Sequence, residues 1–487
     1  DQKNSADYAY AFGVNEFVLC ASAYQPWIDK YPGSTAGGKH YCLNRNNTYW
    51  EYSRPFWDYQ ARCSALMRKG VPVVDICVYL GQNPPVKLVT YRLPEIPEGY
   101  DFDVCTAEAL VGRTMAVDGR LTLPTGISYS LLVIQRNNDM PLHVLRHIAG
   151  LVKGGVIVCG PRPDGSDSLK DKAESEEYRA LVDELWGELT TVSQIRKVGK
   201  GKIYENIPLS EVLKYENIRP DIAIKSGNTA KDKVYFVHRR LSDADVYFLN
   251  NHSDRAFHDT VRLRTDARQA EYWDAVTGQR YMIPVKASGE KGMLLNLTLA
   301  PRESGFIVTS NNQATGLLPI IADVQETITP IEGSWNVYFD PRWGGPGKVV
   351  FDELIDWTVH ADTGIRYYSG TAVYHKELNL AIPAQNERLL LRFPRLGSLA
   401  RVWVNGKEVV TVWCSPWEAD ITSYVHEGKN NLKIEVVNSL MNRMIGDASL
   451  PESERFTYAY PQIATPTDKL VPSGIMEQLN LVYRQCQ

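Results

Sequence analysis

The sequence contains no apolar run approaching the ~20 residues that cross a bilayer, which argues against a transmembrane helix. It has no excess of basic residues either, since the formal net charge is −4 and the pI is near 6.2. A positive field for nucleic acid is therefore missing. The eight cysteines form no C-x-x-C pair, so neither a structural zinc site nor a dense disulfide framework is indicated.

Nucleotide-binding and nucleophile-elbow motifs are also missing: the chain has no G-x-G-x-x-G, no P-loop, no G-x-S-x-G and no G-x-C-x-G. It opens DQKNSADYAY, without an initiator Met or a signal peptide. We therefore expect either that a preceding segment was removed or that this is the later part of a longer protein. The 487 residues are too many for one core and predict about three or four domains.

The first 82 residues alternate between helical and strand patterns. VNEFVLCASAY (14–24) and VPVVDICVYLG (71–81) predict strands, and RPFWDYQARCSALMRKG (54–70) predicts a helix between them. The second strand is apolar almost throughout, which is typical of a parallel sheet covered by helices on both faces. The pattern predicts the C-terminal end of a (β/α)8 barrel, of which ~80 residues supply about a third.

Strand and helix patterns continue to about residue 215 and predict a doubly wound, flavodoxin-like layer. Cys159 stands where a nucleophile elbow would stand, but Pro161 prevents a helix from continuing out of the turn. An inert cysteine is therefore favoured over a catalytic one. An all-β texture follows, with short strands and regularly spaced turn residues. In ARVWVNGKEVV the dipeptide Asn405-Gly406 predicts a hairpin turn of the kind found in β-sandwiches.

The fold class predicted from these patterns is a multidomain chain, α/β followed by all-β. Its predicted parts are a barrel end (1–82), a flavodoxin-like α/β domain (83–215), a small all-β domain (216–312), a linker (313–332) and a C-terminal β-sandwich of the jelly-roll type (333–487).

Several motifs carry a family resemblance. SGTAVYHKEL, ARVWVNGKEV, EADITSYVHEGKNNLKIEVVN and NRMIGD resemble the galactose-binding-like jelly roll of β-galactosidase- and β-glucuronidase-type hydrolases. NRNNTYWEYSRPFWDYQARCSALMRKGVPVVDICVYLG resembles the last barrel segment of the α-L-rhamnosidases of glycoside hydrolase family 106. YWDAVTG and WNVYFDPRWGGP stand in matching order, so the resemblance covers nearly the whole chain. It departs at Cys20 and near Tyr24, where relatives would have His, which implies a changed specificity or a weakened sugar site.

The resemblance implies an inverting glycosidase that acts on rhamnose-containing plant or bacterial polysaccharide, in a secreted or periplasmic setting. Inversion requires an acid and a base about 6.5–9.5 Å apart, and the resemblance implies that both lie upstream of Asp1. It also implies a Ca²⁺ ion in the active site and, as partners, a carbohydrate and the upstream barrel portion of the same protein. The alternative is a non-catalytic glycan-binding or scaffold protein. An amidotransferase-like enzyme is disfavoured because the nucleophile elbow is missing.

The candidate substrate contacts lie in the long loop after the first predicted strand, because strand-end loops of barrels form pockets. They are Gln25, Trp27, Arg45, Trp50 and Glu51. Glu51 is the best carboxylate of this loop, although it could equally cap the next helix and pair with Arg54. His40 is more often a surface residue than a ligand.

Two further tryptophans and one buried acid have competing interpretations. Trp413 and Trp417 flank Cys414-Ser415-Pro416 and could form a glycan platform. Packing in a core or at a domain interface is the alternative for both rings. Asp75 stands inside the second predicted strand and is expected to face a structural partner rather than substrate.

Overall fold

The computed structural model describes residues 2–19, 23–35, 44–81, 93–135, 140–166, 175–189, 191–226, 234–289, 292–312, 318–319 and 325–485. The α-helices in these ranges are α1 Gln2–Tyr10, α2 Arg54–Met67, α3 Ala107–Arg113, α4 Leu142–Gly154, α5 Ser175–Trp186, α6 Leu209–Tyr215, α7 Thr363–Arg366 and α8 Met441–Asp447. None of the described helices is both long and apolar enough to cross a membrane.

The strands up to residue 224 are β1 Pro32–Ser34, β2 Val71–Pro72, β3 Ile76–Tyr79, β4 Phe102–Cys105, β5 Met115–Val117, β6 Arg120–Thr122, β7 Ser128–Tyr129, β8 Leu131–Ile134, β9 Ile157–Cys159, β10 Gln194–Val198, β11 Gly201–Glu205 and β12 Ile222–Ile224. The next strands are β13 Val234–Arg240, β14 Ala244–Asn251, β15 Phe257–Leu263, β16 Gln269–Trp273, β17 Arg280–Ile283, β18 Val285–Ala287, β19 Met293–Leu299, β20 Ser304–Ser310 and β21 Leu318–Pro319. The last are β22 Glu326–Pro330, β23 Trp335–Phe339, β24 Gly347–Phe351, β25 Thr371–Leu380, β26 Glu387–Arg392, β27 Leu396–Gly397, β28 Leu399–Val404, β29 Lys407–Val412, β30 Glu418–Asp420, β31 Gly428–Val437, β32 Tyr458–Tyr460, β33 Gly474–Ile475 and β34 Asn480–Gln485.

A six-stranded sheet forms the α/β layer, in the order β4-β3-β8-β9-β11-β10. All neighbours are parallel except the antiparallel pair β10 and β11. Counted along the chain, the five parallel strands stand in the spatial order 2-1-3-4-5, which is the flavodoxin-like order. Apolar residues of α3, α4 and α5 pack in one core of this layer, and those of α6 pack in a second.

The second predicted barrel strand belongs to this sheet, so its assignment to a barrel is wrong. β3 is buried along its whole length and pairs with β4 and β8. Two residues of the same predicted strand, β2, pair instead with β13 in a different sheet. The α/β layer therefore begins before residue 83. Residues 14–19 of the first predicted strand form no strand, and residues 20–22 lie outside the described ranges.

The small β-domain consists of two packed sheets, β2-β13-β14-β20-β16-β17-β21 and β12-β15-β19-β18. Strand β14 is buried on both of its faces. Tyr247 and Leu249 belong to the core between the two sheets. Val246 and Phe248 belong to a second core, which the residues of α1 and α2 cover. The N-terminal helices are therefore part of the same packed unit as the β-domain.

A buried polar contact fixes α1 in place. The Lys3 ammonium lies 2.7 Å from Asp7 Oδ2 and donates to Ser304 Oγ at 2.7 Å. The Tyr59 hydroxyl of α2 donates to the same carboxylate. An unpaired charge at this depth would be costly. The Lys3–Asp7 ion pair therefore stabilises the docking of both helices on β20 only while both partners are present.

The C-terminal region is a β-sandwich of the sheets β24-β23-β25-β31-β28-β29 and β22-β34-β26-β30. The predicted hairpin is confirmed: β28 and β29 are joined by Asn405 (φ 51°) and Gly406 (φ 77°), the left-handed pair that a two-residue turn requires. The prediction of a linker over 313–332 is wrong at its end, because β22 pairs with β34 inside the sandwich. Residues 313–317 and 320–324 lie outside the described ranges.

Asn438 generates a test of the sandwich core. Its buried amide donates to Tyr368 O and Ser473 Oγ, both at 2.9 Å, and accepts from Gly370 N at 2.9 Å. Asn438→Ala should lower the melting temperature and cost roughly 2–4 kcal/mol, because buried partners lose their hydrogen bonds. Asn336→Ala, on an exposed position of β23, is the control and should stay within about 0.5 kcal/mol. Equal melting temperatures for the two variants would contradict this account.

Candidate functional site

The loop with the predicted substrate contacts is attached to the C-terminal sandwich. Its strand β1 pairs in parallel with β32. Thr35 Oγ1 donates to Pro461 O at 2.8 Å, and Thr48 Oγ1 donates to Asn438 O. Contacts with residues about four hundred positions later in the sequence therefore hold this segment in place.

Gln25 and Arg45 use their side chains to hold the loop itself. The Gln25 amide donates to Ser34 O at 2.7 Å and accepts from Ser34 N at 2.9 Å, as a neighbouring strand would. A side chain at Gly33 would collide with Gln25 Oε1, and its φ of +76° also favours glycine. The Arg45 guanidinium donates to Gln25 O at 3.3 Å and Trp27 O at 3.4 Å. Contact of these two residues with substrate stays a prediction.

Trp27 lies in an aromatic cluster shared with β32. Its ring centroid lies 5.1 Å from that of Tyr458, at an interplanar angle of 71°. The Lys30 ammonium stands 4.0 Å from the Tyr458 centroid and 5.7 Å from that of Trp27. A cation over ring faces is attractive, so the three side chains stabilise the contact between loop and sandwich.

Trp50 and Glu51 lie on a short 3-10 turn that leads into α2. Trp50 is 39% exposed, and the Glu51 side chain is exposed as well. The backbone carbonyl of Glu51, not its carboxylate, accepts from Arg401 Nη2 at 3.0 Å. The Arg401 guanidinium also stacks 4.1 Å from the centroid of the Tyr52 ring. The Glu51 carbonyl and the Tyr52 ring thus anchor this turn to Arg401, and the side chains of Trp50 and Glu51 face outward.

The structure shows neither of the two alternative roles of Glu51, capping the next helix or pairing with Arg54. Arg54 lies 3.6 Å from Asp58 rather than beside Glu51. The residue before α2 is Ser53, whose side chain makes no capping hydrogen bond. Within the described ranges, no ion pair occupies the exposed Glu51 carboxylate, so it is available to a ligand.

Trp413 and Trp417 both make packing contacts. The Trp413 centroid lies 5.7 Å from that of Phe56 and 5.8 Å from that of Tyr59, so the ring joins the sandwich to α2. Trp417 packs at the edge of the sandwich core, where its carbonyl accepts from Phe393 N at 2.8 Å. These contacts favour the packing alternative, and a glycan platform stays a prediction for both.

The remaining candidates have structural settings or lie outside the described ranges. Asp75 has the structural partner that was predicted, because Arg264 Nη2 lies 2.7 Å from its carboxylate. Cys159 lines a cavity of about 950 Å³ at the carboxyl ends of β8, β9 and β11. Burial raises the pKa of its thiol to about 11, which keeps it protonated and unreactive. Tyr24 is 82% exposed, whereas His40 and Cys20 belong to segments that are not described.

The Ca²⁺ ion implied by the resemblance finds no ligand set in the described ranges. No group of three or more His, Cys, Asp or Glu side chains there is arranged to hold a metal ion. Calcium sites take six to eight oxygen ligands, several of them carboxylates, so the described residues do not fit the ion by themselves.

Comparison with known proteins supports the architecture. The family model of the alpha-L-rhamnosidases of glycoside hydrolase family 106 matches residues 1–286. The model of the sugar binding domain of glycosyl hydrolases family 2 matches residues 322–483. The two matches define a carbohydrate-active class of protein. Because the first covers more than half of the 487 residues, the chain belongs to glycoside hydrolase family 106.

Two relatives illustrate how far the similarity extends. A rhamnosidase structure from Novosphingobium sp. PP1Y superposes with a TM-score of 0.89 at 29% identity, over 99% of this chain and 46% of the other. A protein of Formosa agariphila, named "Putative beta-glucuronidase", is 23% identical over 92% of this chain and 56% of its own length. The chain therefore spans about half the length of the relatives it matches.

The sequence did not point to three residues that help to hold the loop: Lys30 within it, and Arg401 and Tyr458 outside it. Arg401 and Tyr458 are separated from the loop by several hundred positions, and no local periodicity relates such distant segments. Only the alternation Tyr458-Ala459-Tyr460 carried a signal, since period-two spacing is typical of a strand.

Trp413→Ala distinguishes packing from glycan binding. We expect a lower melting temperature, at a cost of roughly 2–3 kcal/mol, somewhat below the ~3–5 kcal/mol of a fully buried ring, because Trp413 is half-buried. Retention in rhamnose-containing polysaccharide gels should not change. Trp50→Ala, at an exposed ring, is the matched control and should barely change the melting temperature. Lost retention at unchanged stability in Trp413→Ala would instead establish a glycan platform.

Proposed function

We propose that residues 1–487 are the C-terminal part of an inverting α-L-rhamnosidase that acts on a complex, rhamnose-containing polysaccharide in a secreted or periplasmic setting. The observation that carries this proposal is the similarity to a rhamnosidase structure over 99% of the chain, with a TM-score of 0.89. The match of the family model over residues 1–286 supports it independently.

In this proposal the catalytic acid and base stand on polypeptide N-terminal to residue 1, in the larger part of a (β/α)8 barrel. The chain spans 46% and 56% of the two relatives described above, which leaves room for such a part. Residues 14–19 support the same idea, because they form neither helix nor strand and carry exposed apolar side chains: Val18 is 92% exposed and Leu19 is 58% exposed. A neighbouring barrel strand would cover apolar side chains of this kind.

The candidate carboxylates of the described ranges are consistent with that division. Asp75 is buried against Arg264 and cannot serve as a free acid or base. Glu51 is exposed but is a single candidate, whereas inversion requires two carboxyl groups about 6.5–9.5 Å apart. The family's Ca²⁺ ion is assigned by this proposal to the same N-terminal part, where the missing ligands would stand.

The outward-facing turn of Trp50 and Glu51 is proposed to form one wall of the sugar site. A ring covers the apolar face of a pyranose, and a carboxylate accepts hydrogen bonds from its hydroxyl groups. The sandwich anchors this turn through Arg401, which contacts the backbone of Glu51 and the ring of Tyr52. The sandwich thereby positions the wall without supplying the chemistry.

An activity assay tests whether the catalytic acid and base lie outside residues 1–487. The purified 1–487 chain should give no turnover of an aryl α-L-rhamnoside, with or without added calcium, because it lacks the acid and base. A longer polypeptide that includes the N-terminal part should turn the substrate over. An aryl β-glucuronide is the control substrate and should stay intact in both samples. Comparable turnover of the rhamnoside by 1–487 alone would place the acid and base within this chain.

Glu51→Gln in the longer polypeptide tests the sugar-site wall. It should lower kcat/KM about ten- to a hundred-fold, because a hydrogen bond to a charged group contributes roughly 1.5–3 kcal/mol. The melting temperature should not change, since the backbone carbonyl and not the carboxylate binds Arg401. Glu188→Gln, at an exposed acid after α5, should leave both quantities unaltered. An unchanged kcat/KM in Glu51→Gln would remove this residue from the site.

A further inference from the structure

A large cavity lies at one edge of the six-stranded sheet, where β8, β9 and β11 end side by side. It measures about 950 Å³, and residues that directly follow the three strands line it. They are Gln135 after β8, Gly160 and Pro161 after β9, and Asn206 after β11. In open α/β sheets, ligands bind in the crevice outside the carboxyl ends of the strands. Ligand pockets typically measure about 300–1,000 Å³, so the cavity has the position and the size of a binding site.

Two features of the backbone shape the walls of this cavity. A side chain at Gly160 would lie 2.5 Å from Ile134 O, so the end of β9 can approach β8 only with glycine there. Asn206 has a φ of 53°, and its carbonyl accepts from Ser193 Oγ at 2.7 Å. The chain turns at this point, and α6 begins only at Leu209. Gly160, Asn206 and Leu209 all line the cavity, so the backbone itself fixes its walls.

No charged side chain lines the cavity among the residues that the structure describes. Two charged residues adjoin the lining in sequence, and both have partners elsewhere. Arg162 Nη2 lies 2.7 Å from Asp183 Oδ1, and the Glu205 carboxylate accepts from Arg162 N at 3.2 Å. A buried ionic ligand requires a charged partner to offset its lost hydration. These walls therefore favour a neutral ligand over a phosphate or a carboxylate.

Gln135 supplies an unused hydrogen-bond donor in this wall. Its side-chain amide nitrogen is buried and has no hydrogen-bond partner in the described part of the chain. A buried donor of this kind is costly to leave unpaired. Because Gln135 lines the cavity, a ligand oxygen there can accept from this amide. Leu93, Ile207 and Leu209 provide aliphatic surface on the same cavity, so a ligand with both apolar and hydroxyl-bearing faces suits it.

We propose that this cavity is a binding site for a neutral sugar, in addition to the sugar-site wall of Trp50 and Glu51. A pyranose presents apolar C–H groups as well as hydroxyl oxygens, which matches aliphatic walls that carry an amide donor. The neutrality of the ligand follows from the lining alone. The choice of L-rhamnose as the first probe rests on the proposed function, and D-galactose is therefore used as a second neutral probe.

Protection of a cysteine from alkylation tests the site in the purified 1–487 chain. Cys159 lines the cavity and is 7% exposed, so a bound sugar should shield its thiol. Iodoacetamide at about pH 9 modifies the small thiolate fraction slowly. At about ten times its Kd, L-rhamnose or D-galactose should leave about a tenth of the sites open and slow this modification about tenfold, as measured by peptide mass spectrometry. D-glucuronate, which is charged, should not protect Cys159, and the modification of Cys105 should not respond to any of the sugars.

Two variants connect the protection to the cavity. Thr191 is exposed and lines the cavity, so Thr191→Trp should fill it without disturbing a core and should abolish protection. Gln135→Leu should raise the Kd of the sugar roughly two- to tenfold, the contribution of one neutral hydrogen bond. It should leave the melting temperature of the sugar-free chain unchanged or higher, because the amide nitrogen has no partner to lose. Thr329→Trp, at an exposed position of β22, is the control and should retain full protection.

Three results would each overturn the proposal: protection of Cys159 by neither neutral sugar, equal protection by D-glucuronate, or full protection in Thr191→Trp. Turnover of the aryl α-L-rhamnoside by the longer polypeptide is a separate measurement. Loss of protection with intact turnover would reject only the cavity site, whereas protection without turnover would reject only the rhamnosidase assignment.

Discussion

The burial of strand β14 on both faces is the constraint that the rest of the structure depends on. Alternate side chains of this strand enter two separate cores, with Tyr247 and Leu249 on one side and Val246 and Phe248 on the other. One core is closed by the second sheet of the β-domain, and the other by the N-terminal helices. The sandwich reaches the second core through Trp413. A central strand without a solvent face thus obliges three parts of the chain to assemble around it.

Burial could be predicted from the sequence, but the partners of a buried strand could not. The apolar pattern of VPVVDICVYLG correctly indicated a strand covered on both faces, and β3 is buried throughout. The same pattern suits any parallel sheet, so it did not distinguish a barrel from the flavodoxin-like layer that contains β3. The sequence predicted more structural detail where the turn residues restrict the backbone. Asn405-Gly406 specified both the hairpin and its left-handed turn.

The family was recognisable from ordered motifs, whereas the roles of single side chains in the loop were not. Polar and aromatic residues in a long loop have the same composition whether they bind a sugar or hold the loop together. Gln25 and Arg45 bond to backbone atoms of their own segment, and Trp27 packs on a ring from β32. Only the geometry separates these anchors from Trp50 and Glu51, which face outward. Composition therefore identified the segment, but not which of its side chains hold the loop and which face outward.

The sandwich holds a loop that lies several hundred positions earlier in the sequence. A polar loop has no core of its own, so its shape must come from whatever it packs against. Asn438 connects the sandwich core to the loop. Its side chain forms hydrogen bonds with Tyr368, Gly370 and Ser473 inside the sandwich. Its backbone carbonyl accepts a hydrogen bond from Thr48 of the loop. Rigidity of the sandwich core is thereby transmitted to residues near the start of the chain. The sandwich therefore acts as the scaffold of the loop that contains Thr48.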